Sequence, residues 1–330
     1  MYSSKAPGSV MLLGEHAVVY NRPALVASID QYITANLLLL ENLEKNKSQK
    51  NILIINSSIG SIDLLIDDVK NNTLSSYNKN FNFVIEVIKF FINNYPNLEE
   101  NISEYTLNIK SNLSTEVGLG TSAAVIVAVY NVFLKFLNID EDKKVSFNNL
   151  KQIMLKIQKV GSGADIAASL YQGIVYFDGV NLDNIKVINK KDIKKFPEVF
   201  LIYSGYKTKT PDVINIVKEN IEKIGIDIFN KLFDAIGDCV KQGYKFIKES
   251  NYIKLGKVFT IHQGLQDSLG VNDLVLSEII YNLRKDSNIL GVKISGSGLG
   301  DCIIVIANGK NQLESEKLFL DKYKIIKIKF

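Results

Sequence analysis

Hydrophobic and polar positions in the first half of the chain predict strands and helices in a mixed order. Apolar and β-branched residues dominate 24–40, which predicts strand structure. Apolar side chains near helical spacing predict an amphipathic helix from Phe81 to Asn93, and the apolar run 125–137 predicts a buried helix. Two stretches rich in Lys, Asn and Ser, 41–51 and 67–80, are expected to be surface loops. Further short strands are predicted at 52–55, 62–66, 105–109 and 174–177, and a further helix at 146–158.

The second half of the chain follows a polar, basic stretch around residues 180–198, where we place a domain boundary. The predicted domains are 1–185 and 186–330. Helices are predicted near 212–222, 228–248, 251–268 and 273–285, and strands at 199–203, 292–294 and 302–307. A last helix and a basic edge strand, Lys322 to Lys329, are expected to close the chain. Without strict βαβ alternation, this order predicts two α+β domains.

Composition and charge narrow the classes of function. The net charge of +4 and the pI of about 8.7 suit anionic small molecules, but the lysines are too scattered to predict nucleic-acid binding. Two cysteines and two histidines exclude a cysteine-rich or multi-histidine metal centre and argue against a Ser-His-Asp hydrolase. No apolar run approaches about eighteen residues, and the first residues lack the form of a signal peptide. We therefore expect a cytoplasmic protein that does not enter a membrane.

A glycine-containing loop lies before the predicted buried helix and has the sequence Val117-Gly118-Leu119-Gly120-Thr121-Ser122-Ala123-Ala124. The loop fits a plain glycine turn, a dinucleotide fingerprint, or a nucleotide phosphate loop of a non-Walker kind. The dinucleotide reading requires a strand ending at an acid about twenty residues further on. The acids at Asp140 to Asp142 instead lead into another helical pattern. Glycines and helical N–H groups suit phosphate, so the third reading depends on support elsewhere in the chain.

Other segments carry candidate chemistry. Glu15 and His16 are adjacent just after an apolar strand, and Asp165 lies among small residues that would let a substrate come close. A second glycine loop, 295–302, lies between two predicted strands. A polar, basic segment, 203–210, lies at a strand end.

Together these segments resemble the GHMP small-molecule kinases, a family that includes galactokinase, homoserine kinase, mevalonate kinase and phosphomevalonate kinase. The resemblance covers nearly the whole chain, with three motifs in the family's order. Residues 14–20 with Pro23-Ala24-Leu25, and also 263–271, look most like the mevalonate kinase members. The Gly-Ser-Gly-x-Asp form ending at Asp165 and the Gly300-Asp301-Cys302 run look more like phosphomevalonate kinase.

The resemblance implies a fold and a reaction. The fold would combine an N-terminal domain like ribosomal protein S5 domain 2 with a ferredoxin-like C-terminal domain, and ATP would bind between them. The reaction would be ATP- and Mg²⁺-dependent phosphoryl transfer to a hydroxyl of a small hydroxy acid. Mevalonate, giving 5-phosphomevalonate, is the favoured acceptor; phosphomevalonate and a sugar are the alternatives. A non-catalytic ligand sensor on the same fold, and a homodimeric state, also stay open.

The resemblance also implies roles for individual residues. Asp165 would take or orient the proton of the acceptor hydroxyl, and Ser122 would bind Mg²⁺. Glu15 and His16 would contact the acceptor, and the loop with Ser297 and Gly298 would shape the substrate side. The residues that would wrap the ATP phosphates are Gly118, Leu119, Gly120, Thr121, Ser122 and Ala123.

Two positions depart from the family pattern. Mevalonate kinases usually carry a lysine after the Pro-Gly of the first motif, where this chain has Ser9; Lys5 and Lys207 are candidate replacements for its charge. No glutamate precedes Asp165 closely enough to serve as a second Mg²⁺ ligand.

Structural roles compete with several functional ones. Asp165 and Ser122 could cap helices, His16 and His262 could be buried structural histidines, and Cys302 is expected to be a core residue.

Overall fold

The computed structural model describes residues 1–39, 52–73, 77–96, 98, 102, 105–114, 117–193, 196–309 and 321–330. The predicted loop 41–51 and the helix predicted before the last strand lie outside these residues. The chain forms two compact units. The first unit comprises 1–8, 31–113 and 120–161, and the second comprises 9–30, 114–119 and 162–330. These units do not follow the predicted division at residue 185, which stays a prediction.

The first unit combines a mixed sheet with helices. The strands that contribute to this unit are β1 (Tyr2–Leu13), β2 (Ala24–Leu39), β3 (Ile52–Ser57), β4 (Gly60–Leu65) and β5 (Tyr105–Ser111). Strand β4 pairs antiparallel with β3, β3 pairs parallel with β5, and β5 pairs antiparallel with the second half of β2. Its helices are α1 (Ile66–Asn71), α2 (Asn82–Asn94), α3 (Thr121–Phe136) and α4 (Lys143–Gln158).

Aromatic packing joins the helices of the first unit. Phe91 of α2 stacks on Phe133 of α3 with ring centroids 5.2 Å apart and also contacts Tyr130. The predicted helix 81–93 is confirmed as α2. The surface loop predicted at 67–80 is wrong over its first residues, because they belong to α1. Ile66 and Val69 lie three positions apart on one buried face of that short helix, and acids in its first turn suit the helix dipole.

The second unit contains the first half of β2 and six further strands. These are β6 (Ile174–Phe177), β7 (Lys186–Ile188), β8 (Glu198–Lys207), β9 (Ile289–Ser295), β10 (Gly300–Ala307) and β11 (Lys324–Ile328). The first half of β2 pairs with β6, and β6 pairs with β7; both pairings are antiparallel. The other four strands form an antiparallel sheet with the order β11-β8-β10-β9. The helices are α5 (Ala164–Tyr171), α6 (Thr210–Ile224), α7 (Ile226–Lys248), α8 (Tyr252–Leu269) and α9 (Leu274–Leu283).

Burial of apolar side chains explains this sheet. Ile202, Ile303 and Val305 of β8 and β10 pack against Ile279 and Leu283 of α9, all essentially inaccessible to solvent. The basic segment at the end of the chain forms the edge strand β11, as predicted. The four helices predicted for the second half are confirmed as α6 to α9, and the strands predicted at 292–294 and 302–307 are confirmed as β9 and β10. No helix in the described part of the chain is long and apolar enough to cross a membrane.

Candidate active site

Asp165 and Ser9 meet in the second unit although they lie far apart in sequence. Asp165 is in the first turn of α5, and Ser9 Oγ donates a hydrogen bond of 2.8 Å to Asp165 Oδ1. The residue that caps α5 is Gly163, with φ +88°, so the alternative that Asp165 is the N-cap is wrong. Ser9 itself is buried in β1. The carboxylate is therefore held by a hydroxyl where the family resemblance leads one to expect an ammonium.

The surroundings of Asp165 raise its proton affinity. The residue keeps solvent-exposed surface, although many protein atoms surround its carboxylate. Burial raises the pKa of Asp165, while the Ser9 hydrogen bond and the positive charge of Lys207 lower the pKa by smaller amounts. A carboxylate with a raised pKa that a ligand can still reach suits general-base work.

A pH–rate profile can test this arrangement. Asp165 must be ionised to accept a proton, so activity is expected to fall as the pH drops through its raised pKa. Ser9→Ala removes a bond that lowers this pKa, and the acid limb is expected to move to higher pH, with the plateau changing at most about tenfold. Ser4→Ala, another buried serine of β1, should leave the limb in place. An unmoved limb in Ser9→Ala would contradict the role of Asp165 as the titrating base.

The predicted phosphate loop leads into α3 with an open N-terminus. Gly120 is in the left-handed conformation at the N-cap, with φ +63°, and among the described residues no side chain caps the helix. The first turn of α3 holds no acidic residue. The N–H groups of the first turn and the helix dipole therefore suit a phosphate. The N-cap of α3 is Gly120 and Ser122 lies inside the helix, so the alternative that Ser122 caps it is not supported.

Ser122 is the one residue of this loop predicted to bind Mg²⁺. Ser122 lies in the first turn of α3 and is partly exposed. Within the described residues no group of three or more His, Cys, Asp or Glu side chains could form a cage for a metal ion. Mg²⁺ in phosphotransfer sites keeps several waters and is held by few protein ligands together with substrate phosphates. One hydroxyl beside a helix N-terminus that suits phosphate fits that pattern.

Gly118 lies directly against an ion pair. Its N–H lies 3.4 Å from Asp301 Oδ1, and Asp301 Oδ2 lies 2.6 Å from Lys207 Nζ. A Cβ atom at Gly118 would lie 2.8 Å from Asp301 Oδ2 and 3.1 Å from Lys207 Nζ. The glycine at 118 thus makes room for two charged groups, whereas the glycine at 120 is needed for its positive φ.

The second glycine loop is tightly constrained. Gly298 has φ +82°, and a Cβ atom there would lie 2.2 Å from the carbonyl oxygen of Val271. Leu299 and Asp301 are non-glycine residues with φ +51° and +64°. Strained backbone of this kind persists where the surrounding structure enforces it, and it clusters at functional sites.

His16 connects the first motif to this loop. His16 Nε2 donates to the carbonyl oxygen of Ser297 over 2.7 Å, and His16 itself has φ +61°. Burial lowers the pKa of His16, so the ring is neutral near pH 7. Ser297 Oγ is a buried atom without a hydrogen-bond partner among the described residues. An acceptor contact for His16, Ser297 or Gly298 stays a prediction.

Glu15 is committed to a buried ion pair. Lys293 Nζ donates to Glu15 Oε1 at 2.5 Å, and both side chains are almost inaccessible to solvent. The ammonium also donates to the carbonyl oxygen of Ile294. Burial raises the pKa of Glu15 and lowers the pKa of Lys293, and the attraction between the two charges opposes both shifts. The acceptor contact predicted for Glu15 stays untested, and its observed partner is Lys293.

His262 completes this buried network as a neutral ring. The N–H of Gly14 donates to His262 Nε2 over 3.0 Å, so this nitrogen carries no proton. Nδ1 therefore holds the proton and donates to Gln266 Oε1 at 3.2 Å. Burial, followed by the charge of Lys293, holds the pKa of His262 well below its usual value. The network fixes the turn that carries Glu15 and His16, and His262 is structural, as the helical pattern suggested.

Two residues of this region were missed by sequence reasoning. Lys293 is a charged residue in the apolar strand β9, and Asp301 follows Gly300 at the start of the apolar strand β10. A lone charge within an apolar strand is a usable signal, because a buried charge requires a partner.

Of the two candidate replacements for the family lysine, Lys5 places its ammonium 4.4 Å from the ring centroid of Tyr32. Lys207 lies in the same compact unit as Asp165.

Comparisons with known proteins agree with this reading of the chain. Residues 82–173 match the description "GHMP kinases N terminal domain", and residues 244–325 match "GHMP kinases C terminal". A mevalonate kinase of Saccharolobus solfataricus is 30% identical over 313 residues, covering 93% of this chain and 90% of the relative. The chain therefore belongs to the GHMP kinase family and is an ATP-dependent small-molecule kinase.

Solved structures establish the fold. The Methanococcus jannaschii mevalonate kinase superposes with a TM-score of 0.78 at 22% identity, over 99% of this chain and 98% of that one. A galactose complex of Lactococcus lactis galactokinase also gives 0.78, at 15% identity, over 100% of this chain and 93% of that one. The two-domain GHMP kinase fold is thus confirmed. Equal scores for two different acceptor classes mean that the fold does not identify the acceptor.

Proposed function

We propose that this kinase transfers the γ-phosphoryl group of ATP to the hydroxyl of mevalonate, giving 5-phosphomevalonate. The observation that carries the choice of acceptor is the relative from Saccharolobus solfataricus, which bears the name mevalonate kinase and aligns over nearly the full length of both chains.

In the proposed reaction Asp165 accepts the proton of the acceptor hydroxyl. The phosphoryl group needs positioning and charge stabilisation more than covalent help. The amide groups of the loop 118–123 would hold the ATP phosphates, and Ser122 would provide one ligand of a Mg²⁺ ion whose charge offsets that of the phosphates. His16, Ser297 and Gly298 would form the acceptor side, and the buried Glu15 would fix the turn that presents His16.

The test is a comparison of acceptors. Release of ADP is followed with ATP, Mg²⁺ and one of three acceptors: mevalonate, phosphomevalonate or galactose. The proposal predicts that mevalonate gives the highest kcat/KM, by at least about 10²-fold, because a site built around polar contacts rejects analogues that leave those contacts unpaired. A preference for phosphomevalonate or galactose would overturn the assignment of the acceptor while leaving the family assignment intact.

A further inference from the structure

Lys207 is the last residue of β8. Its register partner is Gly300 of β10, and the pairing of β8 with β10 is irregular between Gly300 and Cys302. Irregular pairing of this kind redirects side chains and is frequent beside active sites. The side chain of Lys207 is 39% exposed, so its ammonium is accessible to a ligand although Asp301 holds it.

A short series of contacts joins Lys207 to Asp165. Lys207 Nζ lies 3.1 Å from the position that a Cβ atom of Gly118 would take. The carbonyl oxygen of Leu119, the next residue of the loop, accepts from Ser9 N over 2.9 Å. Ser9 Oγ in turn donates to Asp165. The ammonium, the start of the phosphate loop and the carboxylate are therefore neighbours within one compact unit.

We propose that Lys207 is a catalytic residue that donates hydrogen bonds to the transferring phosphoryl group, and that Asp301 is the positioning residue that holds it. An ammonium has three donors, so the bond to Asp301 leaves two for phosphate oxygens. A lysine held by a carboxylate and directed at ATP phosphates is also the arrangement found in protein kinases. The buried carboxylate of Asp301 gives Lys207 a fixed position on Gly118.

The inference rests on the proposed function and names the cation of that reaction. The bond between the γ-phosphorus and the oxygen that bridges it to the β-phosphate breaks, and its electron pair stays on ADP. A bond forms between the γ-phosphorus and the acceptor oxygen, whose proton passes to Asp165. Lys207 stabilises negative charge on the phosphoryl oxygens during this exchange. Its charge acts on Asp165 as well, since it lowers the pKa of that carboxyl.

The experiment compares Lys207→Met with Lys207→Arg and with Lys209→Met. Lys209 is an exposed lysine two residues further on, at the start of α6, and serves as the matched control. Mevalonate, or whichever acceptor the wild-type protein uses best, is the probe. Lys207→Met is expected to lower kcat about 10²–10³-fold. It should also move the acid limb of the pH–rate profile to higher pH, because the charge that lowers the pKa of Asp165 is gone. Lys207→Arg should restore part of kcat and return the acid limb most of the way to its wild-type pH. Lys209→Met should change neither kcat nor the acid limb.

Each outcome decides the question. If Lys207→Met keeps kcat within about threefold and leaves the limb unmoved, or if only the acceptor KM rises, Lys207 does not act on the transferring group. If thermal unfolding shows that Lys207→Met is not folded, Asp301→Asn is tested in its place. That variant keeps the lysine but removes the carboxylate that holds it. A tenfold or greater loss of kcat with a shifted limb is then expected, and wild-type behaviour would overturn the inference. A wild-type protein that phosphorylates no acceptor would instead overturn the proposed function.

Discussion

Replacing Asp165 with asparagine is expected to lower kcat by about 10²–10⁴-fold, the usual contribution of a general base. Asparagine has nearly the same shape and its amide oxygen can still accept from Ser9 Oγ, so packing and the Ser9 contact are retained. The side chain cannot accept a proton at neutral pH. ATP affinity should stay within a few fold, since no role in holding ATP is assigned to Asp165. Steady-state kinetics and nucleotide titration measure the two effects separately.

The control for this prediction is Asp212→Asn. Asp212 is also an aspartate in the first turn of a helix, α6, and it is exposed. The substitution should leave kcat unchanged. If Asp165→Asn folds, binds ATP and keeps more than about a tenth of the wild-type kcat, Asp165 is not the base.

The second large effect is on stability. Lys293→Met is expected to lower the free energy of unfolding by about 3–5 kcal/mol, because it leaves the buried carboxylate of Glu15 without its partner. Backbone hydrogen bonds from Glu15 and Gly296 also lower the pKa of this carboxylate, but by less than Lys293 does, so they compensate only part of the remaining charge. Urea unfolding measures the change. The double variant Glu15→Gln/Lys293→Met should recover much of the loss, since no unpaired charge remains.

An exposed ion pair provides the comparison. Lys327 Nζ lies 2.6 Å from Glu198 Oε1, but the lysine side chain is 49% exposed. Lys327→Met should cost no more than about 1 kcal/mol, as is typical of surface pairs. A loss for Lys293→Met as small as that for Lys327→Met would contradict the account of the buried network.

The elements that the sequence predicted well are those set by local periodicity. Helices α2 and α7 have long apolar faces, and β11 is a short basic edge strand, so each follows from residues close together in the chain. Helix α1 was missed because six residues with polar neighbours show too little periodicity. The glycine loops were predicted, but not the reason for Gly118, which depends on two charged residues that arrive from distant strands.

The site was predictable where a motif carries it and unpredictable where partners come together only on folding. Asp165 and the loop around Ser122 stand out in the sequence through the small residues and glycines around them. Lys293 lies 278 residues from Glu15, and no local pattern links the two. Ser9 looked like the loss of a cation, whereas the structure shows it bonded to Asp165. The proposed role of Lys207 could not be predicted either, because its partner Asp301 comes from the neighbouring strand β10.

The most direct test of the central claim is ³¹P NMR of a reaction containing the wild-type protein, ATP, Mg²⁺ and mevalonate. The account predicts that the ATP signals give way to those of ADP and of a phosphomonoester on the 5-oxygen of mevalonate, in equal amounts, and that Asp165→Asn slows both together. Formation of ADP and inorganic phosphate without the phosphomonoester, or no consumption of ATP, would contradict it.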